Sequence, residues 1–180
     1  MSSLEDLTPG VWNVDTAHSS IGFIARHLMV SKVRGRFATF TGTLTIADDP
    51  LASSVSATAD ITSITTGDET RDGHLKSADF FDAENFPAMS LVSTGIGKDG
   101  SDFVLHTNLT IKGVTKPVDF ELEFEGVNGD PWGGTRAGFS AEAEINRKDW
   151  GLEWNVALET GGVLVGEKVK IQLDIEAVKS

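Results

Sequence analysis

The segment Val118-Asp119-Phe120-Glu121-Leu122-Glu123-Phe124-Glu125 alternates strictly between apolar and acidic side chains. Because successive side chains of a β-strand point to opposite faces, this pattern predicts a strand with one dry face and one solvated face. The same period returns over residues 168–177, and in two further runs of inward positions: Phe103, Leu105, Thr107, Leu109, Ile111; and Phe139, Ala141, Ala143, Ile145. A chain of this kind is predicted to form an antiparallel sheet that curls around its own apolar face.

The length and composition indicate a single folded domain. The chain has 180 residues, of which 39% are hydrophobic, and an all-β barrel of this length is common as one domain. We therefore expect an N-terminal extension over residues 1–10 and a barrel domain over residues 11–180. The chain contains no cysteine, which excludes disulfides, thiol catalysis and thiolate metal sites.

The beginning of the sequence has neither a basic start nor an apolar core typical of a signal peptide. No apolar run is long enough to cross a bilayer as a helix. These patterns predict a cytoplasmic protein with no membrane span.

The charge is strongly negative but unevenly distributed. A formal net charge of -12 argues against nucleic acid as a partner and against non-specific adsorption to anionic membranes. Residues 16–47 nevertheless contain no Asp or Glu, and they carry Arg26, Lys32, Arg34, Arg36, His18 and His27. Two interpretations stay open: a local site for an anion, or solvated side chains that balance acids on neighbouring strands.

The remaining segments predict an up-and-down barrel of about eight or nine strands with one helical insertion. We expect one long strand over residues 33–46, with bends at Gly35 and Gly42. A polar stretch over residues 68–77 predicts a short helix that packs onto the barrel mouth. The glycine-rich stretch 151–166 is expected to form a loop or a further helical turn.

The inward positions combine small and large side chains, which favours a cavity over a solid core. The small ones are Ala57, Ala59, Thr107, Thr110, Ala141 and Ala143. A barrel of about eight strands is wide enough to hold one slender ligand. Trp12 and Trp150 are expected to close the barrel ends, each with its indole N–H on a backbone carbonyl.

Several motifs resemble those of the YceI-like family of lipid-binding proteins. They are Trp12-Asn13-Val14-Asp15, Arg71-Asp72-Gly73-His74-Leu75, Thr110-Ile111-Lys112-Gly113-Val114-Thr115-Lys116 and Arg147-Lys148-Asp149-Trp150-Gly151, within a similarity that runs from about residue 12 to residue 177. The resemblance implies an extended lipocalin-like antiparallel β-barrel, and it makes a homodimer possible. It also implies a long amphiphile inside the barrel, such as a polyisoprenoid, a polyisoprenoid pyrophosphate, a quinone-like lipid or a fatty-acid derivative.

For such a ligand we expect an apolar tail among six aromatic side chains: Phe23, Phe37, Phe40, Phe80, Phe81 and Phe86. A polar head group is expected to meet Arg26, His27, Arg71 or His74, where charge-assisted hydrogen bonds are strongest. No cofactor is expected. A metal site is not expected either, because the four histidines lack the short paired spacings of common zinc sites.

Two other functions stay open at this point. Asp72 and His74 suggest an acid/base pair of an enzyme that acts on a small amphiphile, although no nucleophile lies at a recognisable spacing. We expect no enzyme activity, and we expect Arg71 and Asp72 to pair or to cap the helix instead. The other possibility is a stress-related interaction protein whose barrel is solidly packed and whose acidic exterior recognises a partner.

Overall fold

The computed structural model describes residues 4–100, 102–158 and 163–180. Within these residues the chain forms one α-helix, α1 (Glu69–Lys76), and eleven β-strands. The strands are β1 (Gly10–Val14), β2 (Ser20–His27), β3 (Ser31–Phe37), β4 (Phe40–Ile46), β5 (Ser54–Asp60), β6 (Ile64–Thr65), β7 (Ala88–Asp99), β8 (Asp102–Ile111), β9 (Val114–Gly129), β10 (Thr135–Asn146) and β11 (Val165–Lys179).

The strands form a closed antiparallel barrel with eight strand positions around its wall, each of which we call a stave. This confirms the predicted fold. Three staves are each made of two strands in succession: β1 with β2, β3 with β4, and β5 with β6. The other five staves are β7 to β11. Strand β7 pairs with β5, and each of β8 to β11 pairs with the strand before it. Strand β11 closes the barrel because it pairs with both β1 and β2.

The alternating segment that opens the sequence lies in β9, with the orientation that its pattern predicts. Val118 and Phe120 are buried, and Leu122 and Phe124 also face inward. The four acids between and after them are exposed: Asp119, Glu121, Glu123 and Glu125.

The predicted long strand over residues 33–46 is interrupted at Ala38 and Thr39. At this bend the backbone N–H of Ala38 donates to the carbonyl of Ser63, and the N–H of Asp60 donates to the carbonyl of Thr39. The break therefore arises from a pairing with a segment more than twenty residues away, which local alternation does not reveal.

Helix α1 confirms the helical insertion. Its N-cap is Asp68, whose carboxylate accepts hydrogen bonds from the backbone N–H groups of Thr70 and Arg71 at 3.0 and 3.1 Å. The buried Asp72 carboxylate accepts from the backbone N–H and hydroxyl of Thr66 at 2.8 and 2.6 Å. These bonds fix the entry of the chain into the helix.

The connections define two ends of the barrel. The α1 end carries the β2–β3 hairpin, helix α1, the β8–β9 turn and the β10–β11 connection, whereas the N-terminal end carries the remaining hairpins and both termini. Residues 4–9, part of the predicted extension, lead into β1, and Leu7 packs beside Trp12 in a buried cluster. None of the helices in the described ranges is long and apolar enough to cross a membrane.

One tryptophan lies near each end, as predicted. The Trp12 side chain is fully buried, and its Nε1–H donates to the carbonyl of Thr8 at 3.0 Å. Trp150 is almost fully buried, and its Nε1–H donates to the carbonyl of Leu109 at 3.0 Å. The second bond ties the β10–β11 connection to β8 across the barrel.

The glycine-rich stretch 151–166 contains no α-helix in its described parts. Asn155 donates its side-chain N–H to the carbonyl of Val165 and accepts the N–H of Val165 through its side-chain oxygen. An isolated bridge joins Ala157 to Val163. Residues 159–162 lie outside the described residues.

Candidate ligand cavity

An apolar cavity of about 260 Å³ lies inside the barrel. Several side chains on the inner face are only partly buried although they point away from the outer solvent, including Leu122, Phe139, Ile171 and Leu173. Because a packed interior leaves few voids larger than a water molecule, this incomplete burial indicates a hollow barrel. The sequence prediction of an under-filled interior is therefore confirmed.

Small side chains contribute to the wall of the cavity. Ala57, Ala59 and Ala141 line it, whereas Thr107 is buried and donates its hydroxyl to the carbonyl of Val118 at 2.7 Å. The prediction that Thr110 faces inward is wrong. Its hydroxyl pairs with Thr115 on the outer face of the β8–β9 hairpin, since it lies one residue out of phase with the inward series.

Four of the six predicted aromatic residues line the cavity: Phe23, Phe37, Phe80 and Phe81. The Phe23 ring lies across the β3 backbone at Gly35, where any side chain would collide with it. Phe40 is buried in the cluster around Ile61, outside the cavity wall, and Phe86 packs over Gly113. The binding role of all six stays a prediction.

The four predicted head-group residues lie near the α1 end but outside the described cavity wall. Arg26 is exposed and His27 is half-buried at the end of β2. Arg71 lies 4.0 Å from Asp68 at the start of α1. His74 packs edge-on against Trp154, and the two ring centroids are 4.5 Å apart. Their role in head-group binding also stays a prediction.

Asp72 and His74 do not form the pair that an acid/base mechanism needs. The Asp72 carboxylate is engaged by Thr66, as described above. The His74 Nε2 instead lies 2.9 Å from the carboxylate of Asp79. The expectation that Asp72 has a structural role at the helix matches this arrangement.

Arg147 is a cavity residue to which the sequence reasoning assigned no role. It is the one charged residue that lines the cavity within the described part of the chain. Its guanidinium donates to the carbonyls of Gly166 at 2.9 Å, Leu152 at 2.6 Å and Val165 at 3.2 Å. Burial lowers the pKa of this guanidinium from its ordinary value, but an arginine remains charged. The sequence did contain a pattern that indicates its inward position. The predicted inward residues of this strand follow one another in steps of two up to Ile145, and Arg147 is the next step.

The Arg147 guanidinium has unused hydrogen-bonding capacity. A guanidinium has five N–H groups, and the described backbone carbonyls accept three. Its carbon lies 5.7 Å from the ring centroid of Phe80, and no described carboxylate lies within 4.0 Å of its nitrogens. The α1 end of the cavity therefore holds a buried positive charge that has polar neighbours but no anionic partner in contact.

Arg136, near the N-terminal end, is surrounded by acids. Its guanidinium contacts Asp15 at 2.6 Å, Glu176 at 2.8 Å and Asp130 at 3.0 Å. The hydrogen bond from Arg136, followed by that from His18, lowers the pKa of Asp15 to about 2. Asp15, His18 and Glu176 bring possible metal-ligand atoms within 4.8 Å of one another, but Arg136 already supplies the cation for both carboxylates.

Comparisons with known proteins agree with this architecture. A profile of the YceI-like domain matches residues 12–177. Protein YceI of Escherichia coli is 38% identical over 90% of this chain and 82% of its own length. A UPF0312 protein of Staphylococcus aureus is 41% identical over 90% of this chain and 94% of its own length.

A solved polyisoprenoid binding domain from Saccharophagus degradans, implicated in plant cell wall breakdown, superposes with a TM-score of 0.71. The alignment covers 96% of this chain and all of that domain at 16% identity, so it is evidence for the fold alone. The profile match and the two relatives together establish that the chain belongs to the YceI-like family.

Proposed function

We propose that this protein binds one long-chain amphiphile inside its barrel, for storage, transport or sequestration. The single observation that carries the proposal is the cavity of about 260 Å³, whose described wall is almost entirely apolar. Each CH₂ group removed from water contributes about 0.8 kcal/mol, before the entropic cost of binding. A tail of ordinary length therefore supplies enough free energy for stable capture.

The proposed ligand has an extended hydrocarbon tail and a polar or anionic head. Polyisoprenoids, their pyrophosphates, quinone-like lipids and fatty-acid derivatives all meet this description, and the similarity of the fold to the polyisoprenoid binding domain of Saccharophagus degradans supports the isoprenoid class. Arg147 favours an anionic head at the α1 end, because two of its N–H groups remain available beyond the described contacts. Arg26, His27, Arg71 and His74 stay predicted secondary contacts for a larger head.

The other two candidate functions have less support. A solidly packed interaction barrel does not account for the partly buried side chains of the inner face. An enzyme that uses Asp72 and His74 as a proton-transfer pair does not account for their separate partners, Thr66 and Asp79.

Two measurements test lipid binding directly. Native mass spectrometry, followed by organic extraction of the purified protein, should identify one bound lipid per chain. An emptied sample should take up a fluorescent long-chain fatty acid or polyprenol. A protein that is empty as purified and takes up neither probe would overturn the proposal.

A cavity-filling variant with a matched control separates the interior from the surface. Ala57 lines the cavity, whereas Ala88 lies exposed on the neighbouring stave. Ala57→Leu should weaken probe binding about tenfold, equivalent to about 1.4 kcal/mol, because the added side chain occupies tail space. Ala88→Leu adds the same atoms outside and should leave the affinity unchanged. Equal affinities of the two variants would contradict binding in this cavity.

A further inference from the structure

The tip of the β2–β3 hairpin exposes apolar side chains to solvent. Leu28, Met29 and Val30 form the turn, and Val30 as a residue is 82% exposed. Val156 is also exposed and is linked to the turn through Leu164. The backbone N–H of Leu28 donates to the carbonyl of Leu164, and the N–H of Leu164 donates to the carbonyl of Val156. These four residues are half of the eight exposed large apolar side chains in the described ranges, and they are gathered at one place.

The turn holds this tip in a conformation that its residues do not favour. Leu28 and Met29 have φ values of 55° and 64°, and Val30 N–H donates to the carbonyl of His27 at 3.2 Å. Positive φ at both central residues is typical of a type I′ turn, where Asn-Gly is the preferred pair. The chain therefore keeps large apolar side chains at a position where Asn and Gly are better suited to both backbone and solvent.

Four cations share the outer face of the same hairpin. Arg26 lies directly opposite Lys32, Arg34 lies opposite Ile24, and Arg36 lies opposite Gly22. Like charges in opposite positions destabilise a strand pair. No described acidic side chain lies within 4.0 Å of any of the four, so none of them forms a direct ion pair with an acid on a neighbouring strand within the described chain.

The adjacent strand shows the contrast. On β11, Lys168 and Lys170 lie 3.7 and 3.4 Å from Glu144 and Glu142 of β10. Other cations of the described residues, such as Lys76, Lys116 and Arg147, also lack a carboxylate within 4.0 Å, but the hairpin gathers four of them on one face of a chain whose net charge is -12. We name the four cations and the three tip residues together the hairpin surface.

We propose that the hairpin surface docks on a lipid membrane with anionic head groups. Apolar side chains that enter the interface, flanked by Lys and Arg, are the combination that binds such membranes. A nucleic acid matches the cations but offers no partner for the apolar tip. The acidic side chains on the rest of the chain are repelled by anionic head groups, so contact is restricted to the hairpin surface. At moderate ionic strength the acids far from the membrane are screened, so their repulsion does not prevent this contact.

This docking gives the cavity a defined position against the membrane. His27, next to the tip, pairs with Val165, and Val165 lines the cavity beside Arg147. Membrane contact through the hairpin surface would therefore place the α1 end nearest the lipid supply. That consequence rests on the proposed function, whereas the docking itself rests on the hairpin alone.

Vesicle flotation at about 0.1 M salt tests the proposal, since the Debye length is then about 10 Å. We expect binding to vesicles of phosphatidylcholine with about a third phosphatidylglycerol, at least tenfold stronger than binding to phosphatidylcholine alone. The double change Leu28→Asn with Met29→Gly should weaken this binding about tenfold while it raises the melting temperature, because it introduces the preferred type I′ residues. Arg26→Gln with Lys32→Gln should remove most of the phosphatidylglycerol dependence.

Trp132→Ser is the matched control, because Trp132 is 83% exposed on the β9–β10 hairpin at the opposite end of the barrel. This variant should bind vesicles like the parent. The proposal is overturned if the parent does not float with anionic vesicles, if the hairpin variants float unchanged, or if only Trp132→Ser loses binding. Uptake of a fluorescent fatty acid without vesicles is measured in parallel, so that failure of docking and failure of lipid binding are distinguished.

Discussion

Arg147 and Arg136 lie near opposite ends of the barrel and have opposite surroundings. Arg136 contacts three carboxylates, so its charge is neutralised locally. Arg147 lies in the cavity wall, where its guanidinium donates to backbone carbonyls and lies over the Phe80 ring, and the charge of Glu167 acts on it from beyond 4.0 Å. Carbonyls satisfy N–H groups without cancelling a charge. The difference indicates that one arginine holds strands together, while the other leaves a positive potential at the α1 end of the cavity.

The largest expected effect on the free energy of unfolding comes from replacing Arg147, which removes one side of this contrast. Arg147→Met removes the donors of three carbonyls, at Leu152, Val165 and Gly166, and should lower the free energy of unfolding by about 3 kcal/mol. Urea unfolding measures this loss. Arg147→Lys keeps the positive charge but makes fewer hydrogen bonds of fixed geometry, so its loss of unfolding free energy should be smaller than that of Arg147→Met.

The same variants sharpen the functional side of the contrast. Arg147→Met should abolish any preference of the cavity for a carboxylate-headed probe over the corresponding alcohol, whereas Arg147→Lys should retain part of it. Arg136→Met should leave that preference intact because Arg136 does not line the cavity. An undiminished preference in Arg147→Met would contradict the proposed position of the head group.

A smaller effect is expected from the two tryptophans that close the barrel ends. Trp150→Phe leaves the buried carbonyl of Leu109 without its donor and should cost about 2 kcal/mol in unfolding free energy. Trp12→Phe removes a bond to Thr8, only four residues away and less buried, and should cost about 1 kcal/mol. Thermal and urea unfolding of the pair provide the comparison, and a greater loss at Trp12 would show that the N-terminal end is the more constrained one.

The smallest effect concerns acid stability around Arg136. The pKa of Asp15 is about 2 in the folded protein, below its ordinary value of 3.8. A depressed carboxyl pKa stabilises the folded state above the ordinary pKa, and this contribution is lost as the pH falls from about 4 to 2. Asp15→Asn should therefore make the melting temperature fall less steeply over that range. Arg136→Gln should flatten the same slope by removing the cause, and an unchanged slope in both would contradict this origin.

The sequence predicted the parts of the molecule that depend on local periodicity. The alternation in β9 defined both the strand and its inner face, and the polar stretch after Gly67 matched α1 to within a residue at each end. Trp12 and Trp150 have the predicted indole hydrogen bonds. These features depend on side-chain order along one segment, which a single sequence contains.

The missed features depend on contacts between distant segments. The bend at Ala38 is defined by pairing with Ser63, and no local pattern marks it. The period of β10 already indicated that Arg147 faces inward, but its hydrogen bonds to Val165 and Gly166 depend on how the chain returns after β10. The separate partners of Asp72 and His74 likewise follow from the path of the chain around α1. Four of the predicted aromatic residues line the cavity, but their contact with a ligand remains to be measured.

The closing seam of the barrel has a consequence for the lifetime of the folded state. Neighbouring staves follow one another along the chain, except at β11, where the Ser19 hydroxyl bonds to the backbone of Glu176, 157 residues away. Such a closure carries the largest loop entropy, so it is expected to form late and to open first. Phe23 and Ile171 face each other across this seam, and both line the cavity. An enclosed hydrocarbon tail would contact both β2 and β11 at this seam. A bound ligand would therefore slow unfolding, and the protein without ligand would have the shorter folded lifetime.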